Sequence, residues 1–341
     1  MNNDTILSMT KDARKLDLAI VITTYQRQEL LKKLLKSIDS QKTKPSKIYV
    51  VDNENSLDTK KLVNSFNRTR YIAMQENTGG AGGFSRGIEV AYQAGHEWLW
   101  VMDDDVKLLP NAIEKLVKWT KRTNSELNSV QEFDEITAGY QVSRKNFDGT
   151  PFYWQYHFWN RLAIPNPIAP SKWKSNEKFR AMNTTCFEGG LFHRQLIKKI
   201  GLPDARFFIY WDDTIYGYLA SKVTKLALVS DVVIQRTRTL DNLKLGKIRK
   251  LNSTSDMTRY YIMRNRGHMA HYLMINDDYN PLTFGFGTFL TFLKEIIRLF
   301  VTKNFKSGMP RLWQGWRDGR KILHDKKWKP YSKIKPLEEV K

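Results

Sequence analysis

Short apolar runs and helix-spaced apolar positions alternate through the first third of the chain. Residues 18–23, LAIVIT, form an unbroken β-branched run, which predicts a strand buried on both faces. Leu30, Leu31, Leu34, Leu35 and Ile38 then recur at helical spacing with lysines between them, predicting a helix over 28–40. A second strand over 48–51 ends at Asp52 and Asn53, and a third, RYIAM, leads into the glycine-rich ENTGGAGGFSRG. A helix over 88–94 and a strand over 98–102 follow, and that strand runs into Asp103, Asp104 and Asp105. Strand and helix in alternation predict a mostly parallel α/β sheet. Such sheets bind ligands outside the carboxyl ends of their strands. Thr23, Thr24 and Tyr25, then Asp52 and Asn53, then the three aspartates all fall at such ends and are expected to converge on one crevice.

The pattern then changes. YWQYHFWNRLAIPNPIAP, residues 153–170, is aromatic and proline-rich and reads as an irregular loop or lid. A strand-like piece precedes a helix over 194–200 that Gly201 stops. An aromatic run then reaches Trp211-Asp212-Asp213, and a helix over 214–220 follows that Asp212 or Asp213 would cap. From about residue 256 the chain reads as helices with basic surfaces. A domain boundary is expected near residue 240, with one unit over 1–240 and a helical basic region over 241–341. There is no internal repeat and no low-complexity segment.

Composition narrows the class. At 341 residues, 41% hydrophobic and 12% aromatic, the chain can bury a sizeable core. Its single cysteine, Cys186, excludes an internal disulfide and fits a reducing compartment. The N-terminal stretch has no signal-peptide pattern, and no apolar run is long enough to span a bilayer, so a cytoplasmic location is expected. Lys plus Arg is 56 against 35 Asp plus Glu, a net +21 that draws polyanions or an anionic membrane face.

Three clusters carry candidate chemistry. Carboxylates gathered at a strand end suit a hard divalent cation, Mn²⁺ or Mg²⁺, held by oxygen and shared with substrate phosphates. If the strand direction continued, Asp103 and Asp105 would share one side and Asp104 the other. The plainer alternative is a turn with capping aspartates. Gly79, Gly80, Gly82 and Gly83 would allow close backbone approach to a phosphate, with Arg86 as a partner; a tight strand-to-helix turn is the alternative. Two carboxylates beside Trp211 offer a general base next to a ring that can stack on a sugar, or else a helix cap beside a core tryptophan.

Taken in order, VITTYQR, VVDN, ENTGGAGGFSRG, MDDDV, GGLFHR and FFIYWDD resemble the inverting family-two glycosyltransferases of the GT-A nucleotide-diphospho-sugar-binding fold, over about residues 18–234. The glycine string, the triple Asp and WDD look most like the galactofuranosyltransferase branch, and rhamnosyltransferases using dTDP-rhamnose share much of the pattern. The resemblance implies that residues 1–240 form the catalytic domain, with a donor-binding half over about 17–110 and an acceptor half over about 150–240. It implies that Thr23, Tyr25 and Arg27 line the nucleotide pocket and that Asp52 meets the base or ribose. It implies that Asn77, Gly79, Gly80, Gly83 and Arg86 meet the diphosphate or donor sugar. Asp103 and Asp105 would hold Mn²⁺ or Mg²⁺, with Asp104 near the sugar. Asp213 would be the catalytic base, and Trp211 and Asp212 would position the acceptor. UDP-galactofuranose is the implied donor, and a polyprenyl-linked or polysaccharide acceptor its partner.

Two positions depart from the family pattern. Ile215 stands where an acidic residue usually follows WDD, and Gln235 or Arg236 falls near a usual metal-binding histidine. His268 and His271 read as structural. The basic, aromatic-rich end of the chain suits a peripheral protein on the inner, anionic face of the cell membrane, or else packing against the catalytic unit or a second copy in a homo-oligomer. A nucleic-acid partner is not expected, since no helix-turn-helix, zinc-finger or RNA-recognition signature is present. An inactive scaffold of the same fold is the remaining alternative.

Overall fold

The computed structural model describes residues 16–239, 242–245, 249–252 and 254–331. The domain boundary expected at residues 240 and 241 falls outside them. The first half runs β1 (Leu18–Thr24), α1 (Gln28–Asp39), β2 (Lys47–Asp52), α2 (Leu57–Asn64), β3 (Thr69–Ala73), α3 (Gly79–Gln93), β4 (Trp98–Asp103), β5 (Val106–Leu108) and α4 (Ala112–Ser129). The second continues with β6 (Thr137–Lys145), three two-residue strands, β7 (Pro151–Phe152), β8 (Phe158–Trp159) and β9 (Ile164–Pro165), then β10 (Phe179–Met182), β11 (Gly190–His193), α5 (Arg194–Ile200), α6 (Asp212–Ser221) and β12 (Lys225–Arg236). A hairpin of β13 (Asn242–Leu245) and β14 (Arg249–Asn252) leads to α7 (Asp256–Met274), α8 (Pro281–Thr302) and α9 (Phe305–His324).

The main sheet has the order β10-β12-β6-β11-β4-β1-β2-β3. Its β3-β2-β1-β4 portion is parallel throughout, as the alternating pattern predicts. Every residue of β1 is buried. Leu18, Ile20 and Ile22 join α1 and α4 in the core on one face, while Ala19 and Val21 join α3, α5 and α6 on the other. The unbroken apolar run follows from this two-sided burial.

The glycine string departs from expectation: it is helical from Gly79 on, not a loop before a helix at 88. Two side chains fix the start. Asn53 Oδ1 accepts from the Thr78 amide and hydroxyl, and Asn77 Oδ1 accepts from the Gly79 amide. The glycines let the helix lie directly on the sheet. A Cβ at Gly87 would sit 2.4 Å from Val21 Cγ1, and one at Gly83 2.8 Å from Thr23 Cγ2.

The C-terminal helices are not a separate bundle. Met269, Ala270, Tyr272 and Leu273 of α7 share a core with Ala81, Phe207, Ile215 and Tyr218. Ile215, where the resemblance implies an acid, is therefore a core residue. α9 crosses α7 at close range, because a Cβ at Gly267 would fall 2.2 Å from the Gly319 carbonyl. His268 is buried against Phe207 and Trp328, and His271 Nε2 lies 2.7 Å from the Ile322 carbonyl. Burial pushes His268 down to about 3, so it stays neutral.

Candidate active site

Strand register brings the expected ends together: Thr23 lies opposite Asp103, and Thr24 opposite Asp52. β4 ends at Asp103, and the chain turns through Asp104 and Asp105 before β5 pairs with β12. Strand alternation therefore does not carry past Asp103, and the three carboxylates take three environments.

Asp104 is buried and accepts from Thr24 Oγ1 at 2.7 Å and Arg27 Nη1 at 3.1 Å. Burial raises its pKa despite those two partners. Asp105 is buried with Arg238 Nε at 2.7 Å and Arg236 Nη1 at 3.9 Å, while its Oδ1 has no hydrogen-bond partner among the described residues. Asp103 is the one of the three that is only partly buried. Burial, and then the charges of Asp105, Glu188 and Asp104, push its pKa well above the usual range, against the pull of Arg236.

Glu188, which sequence reasoning passed over, organises the rear wall. It is buried and pairs with Arg236 Nη2 at 2.6 Å and Arg144 Nε at 3.0 Å. Burial alone would lower the Arg236 pKa, but Glu188 and Asp105 raise it overall. Asp103, Asp104, Asp105 and Glu188 thus face Arg27, Arg144, Arg236 and Arg238. This arginine set is what makes three adjacent aspartates tolerable at a strand end. Arg236, not Gln235, meets the cluster; the Gln235 amide donates to the carbonyls of Asn146 and Phe147 instead.

The WDD segment forms the opposite wall. Phe208, Tyr210 and Trp211 all have positive φ, at 64°, 71° and 73°. Non-glycine residues hold such backbone only where the surroundings over-determine it. Asn265 of α7 does so: its fully buried Nδ2 lies 2.8–2.9 Å from the carbonyls of Phe207, Ile209 and Tyr210. The indole N–H of Trp211 donates to the Ile262 carbonyl at 3.0 Å, so its partly buried ring is anchored on α7.

Helix α6 begins at Asp212, with Trp211 at the N-cap position. The aspartates therefore sit in the first turn instead of capping the helix. Asp213 Oδ1 accepts from the Thr214 amide at 2.6 Å. Burial raises the Asp213 pKa, partly offset by a hydrogen bond with Cys186. Burial raises Asp212 further, with the Asp213 charge beside it, and Asp212 lines a small cavity with Asp204, Tyr216 and Tyr272. The Cys186 thiol is pushed up by burial and by the charges of Asp213, Glu188 and Asp103. It marks where the β4 end and the start of α6 meet.

The remaining expected residues divide. Tyr25 is exposed, Arg27 is partly exposed beside Asp104, and Gly80 faces open space at the crevice. Asn77 caps α3, and Arg86 pairs with Glu89 at 2.6 Å. Asp52 is fully buried, accepting from the amides of Glu54 and Ser56 and from the Tyr71 hydroxyl; it shapes the loop after β2. A charged residue amid CFEGGLF was the one sequence signal for Glu188. Asn265 left none, because its partners lie over 50 positions away.

Among the described residues no group of three or more His, Cys, Asp or Glu side chains is gathered to hold a metal. The partly buried Asp103 carboxylate and the unpartnered Asp105 Oδ1 nevertheless fit a cation of the Mn²⁺ or Mg²⁺ type. Such ions are commonly bound by one or two carboxylates together with substrate phosphates.

Comparison with known proteins agrees with this geometry. The sequence model of glycosyl transferase family 2 matches residues 19–201. Galactofuranosyltransferase GlfT1 of Mycolicibacterium smegmatis (strain ATCC 700084 / mc(2)155) is 27% identical over 194 residues, which is 57% of this chain and 61% of that relative. The chain thus matches somewhat under two thirds of that protein's length. GalNAc(5)-diNAcBac-PP-undecaprenol beta-1,3-glucosyltransferase of Campylobacter jejuni subsp. jejuni serotype O:2 (strain ATCC 700819 / NCTC 11168) is 34% identical over 106 residues, 30% of this chain and 33% of its own. The crystal structure of GalNAc-T7 with UDP, GalNAc and Mn²⁺ superposes with a TM-score of 0.51 at 14% identity, covering 77% of this chain and 51% of that one.

Proposed function

The chain belongs to glycosyl transferase family 2, and on that premise we propose that it moves galactofuranose from UDP-galactofuranose to a lipid-linked or growing polysaccharide acceptor, with inversion. The observation that carries the reading is that β4 ends in the arginine-paired aspartate cluster with Glu188 behind it, while α6 opens with Asp213, and both bear on Cys186. In this reading the first is the diphosphate side and the second carries the base. The names of the relatives support the donor and the lipid-linked acceptor.

In this reading Thr23, Tyr25 and Arg27 line the nucleotide pocket, and the start of α3, with Asn77, Gly79 and Gly80, meets the diphosphate. A divalent cation held by Asp103 and Asp105 would neutralise charge developing on the leaving diphosphate. Arg236 and Arg238 hold Asp105 in place for that task. Asp213 accepts the proton of an acceptor hydroxyl while its oxygen attacks the anomeric carbon. The bond from that carbon to the diphosphate oxygen breaks on the opposite face, and UDP leaves. Asp213 suits the role because burial keeps its pKa above the ordinary carboxylate value, closer to working pH. The strained 208–211 segment and Asn265 fix its position. No helix among the described residues is long and apolar enough to cross a membrane. The basic charge exposed on α9 supports a peripheral place on the inner, anionic face of the cell membrane.

A thermal-shift panel of UDP, dTDP, GDP and their sugars, each with and without Mn²⁺, tests this. A ligand that binds only the folded state raises Tm with its affinity. The expected result is stabilisation by UDP and UDP-galactofuranose, larger with Mn²⁺. Stabilisation by dTDP species alone would move the donor to dTDP-rhamnose, and no shift with any nucleotide would contradict a donor site.

A further inference from the structure

Helix α8 is only half covered. Leu282, Phe286, Phe289, Leu293, Ile297 and Phe300 recur at helical spacing along its outer side, and Leu282 and Phe289 are 84% and 58% exposed. So long an apolar stripe marks a contact surface. Beside it lies a cavity of about 500 Å³ between α7, α8 and α9, lined mainly by apolar atoms. Trp313 and Trp316 form one wall, Phe289 and Phe292 another, and Arg320 sits at the rim. That volume is in the range of small-ligand sites.

Two observations identify the occupant. The exposed charges on α8 and α9 are of one sign: Lys294, Lys303, Lys306, Arg311, Arg317, Arg320 and Lys321 are exposed, whereas Glu295 is buried between Arg259 and Arg298, and Asp318 is partly covered beside Lys321. The occupant therefore joins an apolar body to an anionic group. The floor of the cavity is also α7: Met263, Arg266 and Gly267 line it, while Ile262 and Asn265 of the same turn hold the WDD segment. Met263, Phe292 and Trp316 of its wall also share an apolar cluster with Trp211, two residues before Asp213. We propose that this groove takes the hydrocarbon chain of a lipid-phosphate or lipid-diphosphate acceptor, with its phosphate on the basic rim. The proposal rests on the glycosyl-transfer reading and gives the hydrocarbon part of a lipid-linked acceptor its seat between α7, α8 and α9.

Gly285 provides the test. It lines the cavity, and a Cβ there would have nothing within 4 Å, so a larger side chain enters empty space. Glycine is also a poor helix former, so Gly285→Leu favours the helix. Binding of prenyl phosphates of one to four isoprene units, below their micelle concentrations, is measured by titration calorimetry. Affinity is expected to rise with chain length, by roughly fourfold per buried methylene, until the cavity is filled. Gly285→Leu should weaken the longest chain at least tenfold while leaving the UDP thermal shift unchanged. Phe289→Glu, an exposed position, is a second variant with the same expectation. Affinity independent of chain length, or unaltered in both variants, overturns the proposal. So does binding confined to anionic vesicles, which would make the surface a bilayer face, or concentration-dependent dimerisation lost in Gly285→Leu, which would make it a contact between copies. Failure of the UDP shift itself would count against the glycosyl-transfer reading, and is read separately.

Discussion

Replacing Arg236 with Gln removes one guanidinium from a set that faces four carboxylates. The Arg236 side chain is 13% exposed and its partner Glu188 is 3% exposed, so solvent screens the pair little. The loss leaves Glu188 to Arg144 alone and Asp105 to the more exposed Arg238. Breaking one partner of a buried pair costs roughly 3–5 kcal/mol, because a charge remains uncompensated. Unfolding entropy of about 2.1 cal/mol/K per residue makes each kcal/mol worth about 1.5 °C in a chain of this length. A fall in Tm of about 4–7 °C is therefore expected, measured by calorimetry in chelator so that no cation re-occupies the cluster. Glu188→Gln should cost a similar amount, since Arg144 and Arg236 then lose their shared acceptor. The double variant should cost less than the sum by about 1–3 kcal/mol, because neither charge is left facing an empty partner. Additivity within about 0.5 kcal/mol would refute the claim that Arg236 and Glu188 form the wall as a unit.

Three further outcomes follow from the site. Asp213→Asn should lower kcat by about 10²–10⁴ while UDP binding persists, and in the unmutated enzyme kcat/KM should fall at low pH through a limb above the ordinary aspartate value near 3.9; an unchanged rate in the variant would remove Asp213 as base. Asp212 also has a raised folded-state pKa, so its contribution to stability is present below the unfolded value and is lost as pH rises through the folded one. Asp212→Asn should accordingly raise Tm at neutral pH with little change at pH 4, and a lower Tm at neutral pH would show that the ionised carboxylate is needed. Asn265→Ala should reduce kcat at least tenfold with the UDP shift retained, because three carbonyls of the strained 207–210 stretch lose their donor; kcat at the unmutated level would mean that the segment holds its shape without α7.

The first half of the fold was legible because its signals are local. The run at 18–23 is apolar throughout since both faces of β1 are covered, and α1 shows its buried stripe at helical spacing. The helix over 194–200 ends where Gly201 takes positive φ. The glycine string misled for a physical reason: its glycines serve close helix-on-sheet packing, so their phosphate-loop appearance hid a helix start. The three aspartates do fall at the end of β4, but their individual environments depend on Arg27, Arg236 and Arg238, which lie about 77 to 133 positions away. Trp211 and Asp212 look like acceptor contacts in the sequence. Only the packing of α7 shows that the indole is taken up by Ile262, and only the cavity beside Tyr216 shows where the Asp212 carboxylate goes. Likewise the basic charge of the chain's end was plain, whereas its division into a buried α7 and a half-covered α8 required the fold.

The measurement that bears most directly on the central claim is mass spectrometry of a polyprenyl-diphosphate-linked glycan incubated with the protein and either UDP-galactofuranose or dTDP-rhamnose, alongside Asp213→Asn. The account predicts addition of one or more hexose units from UDP-galactofuranose, with release of UDP, and none in the variant. Addition of a deoxyhexose alone, or transfer that persists without the Asp213 carboxylate, would contradict it.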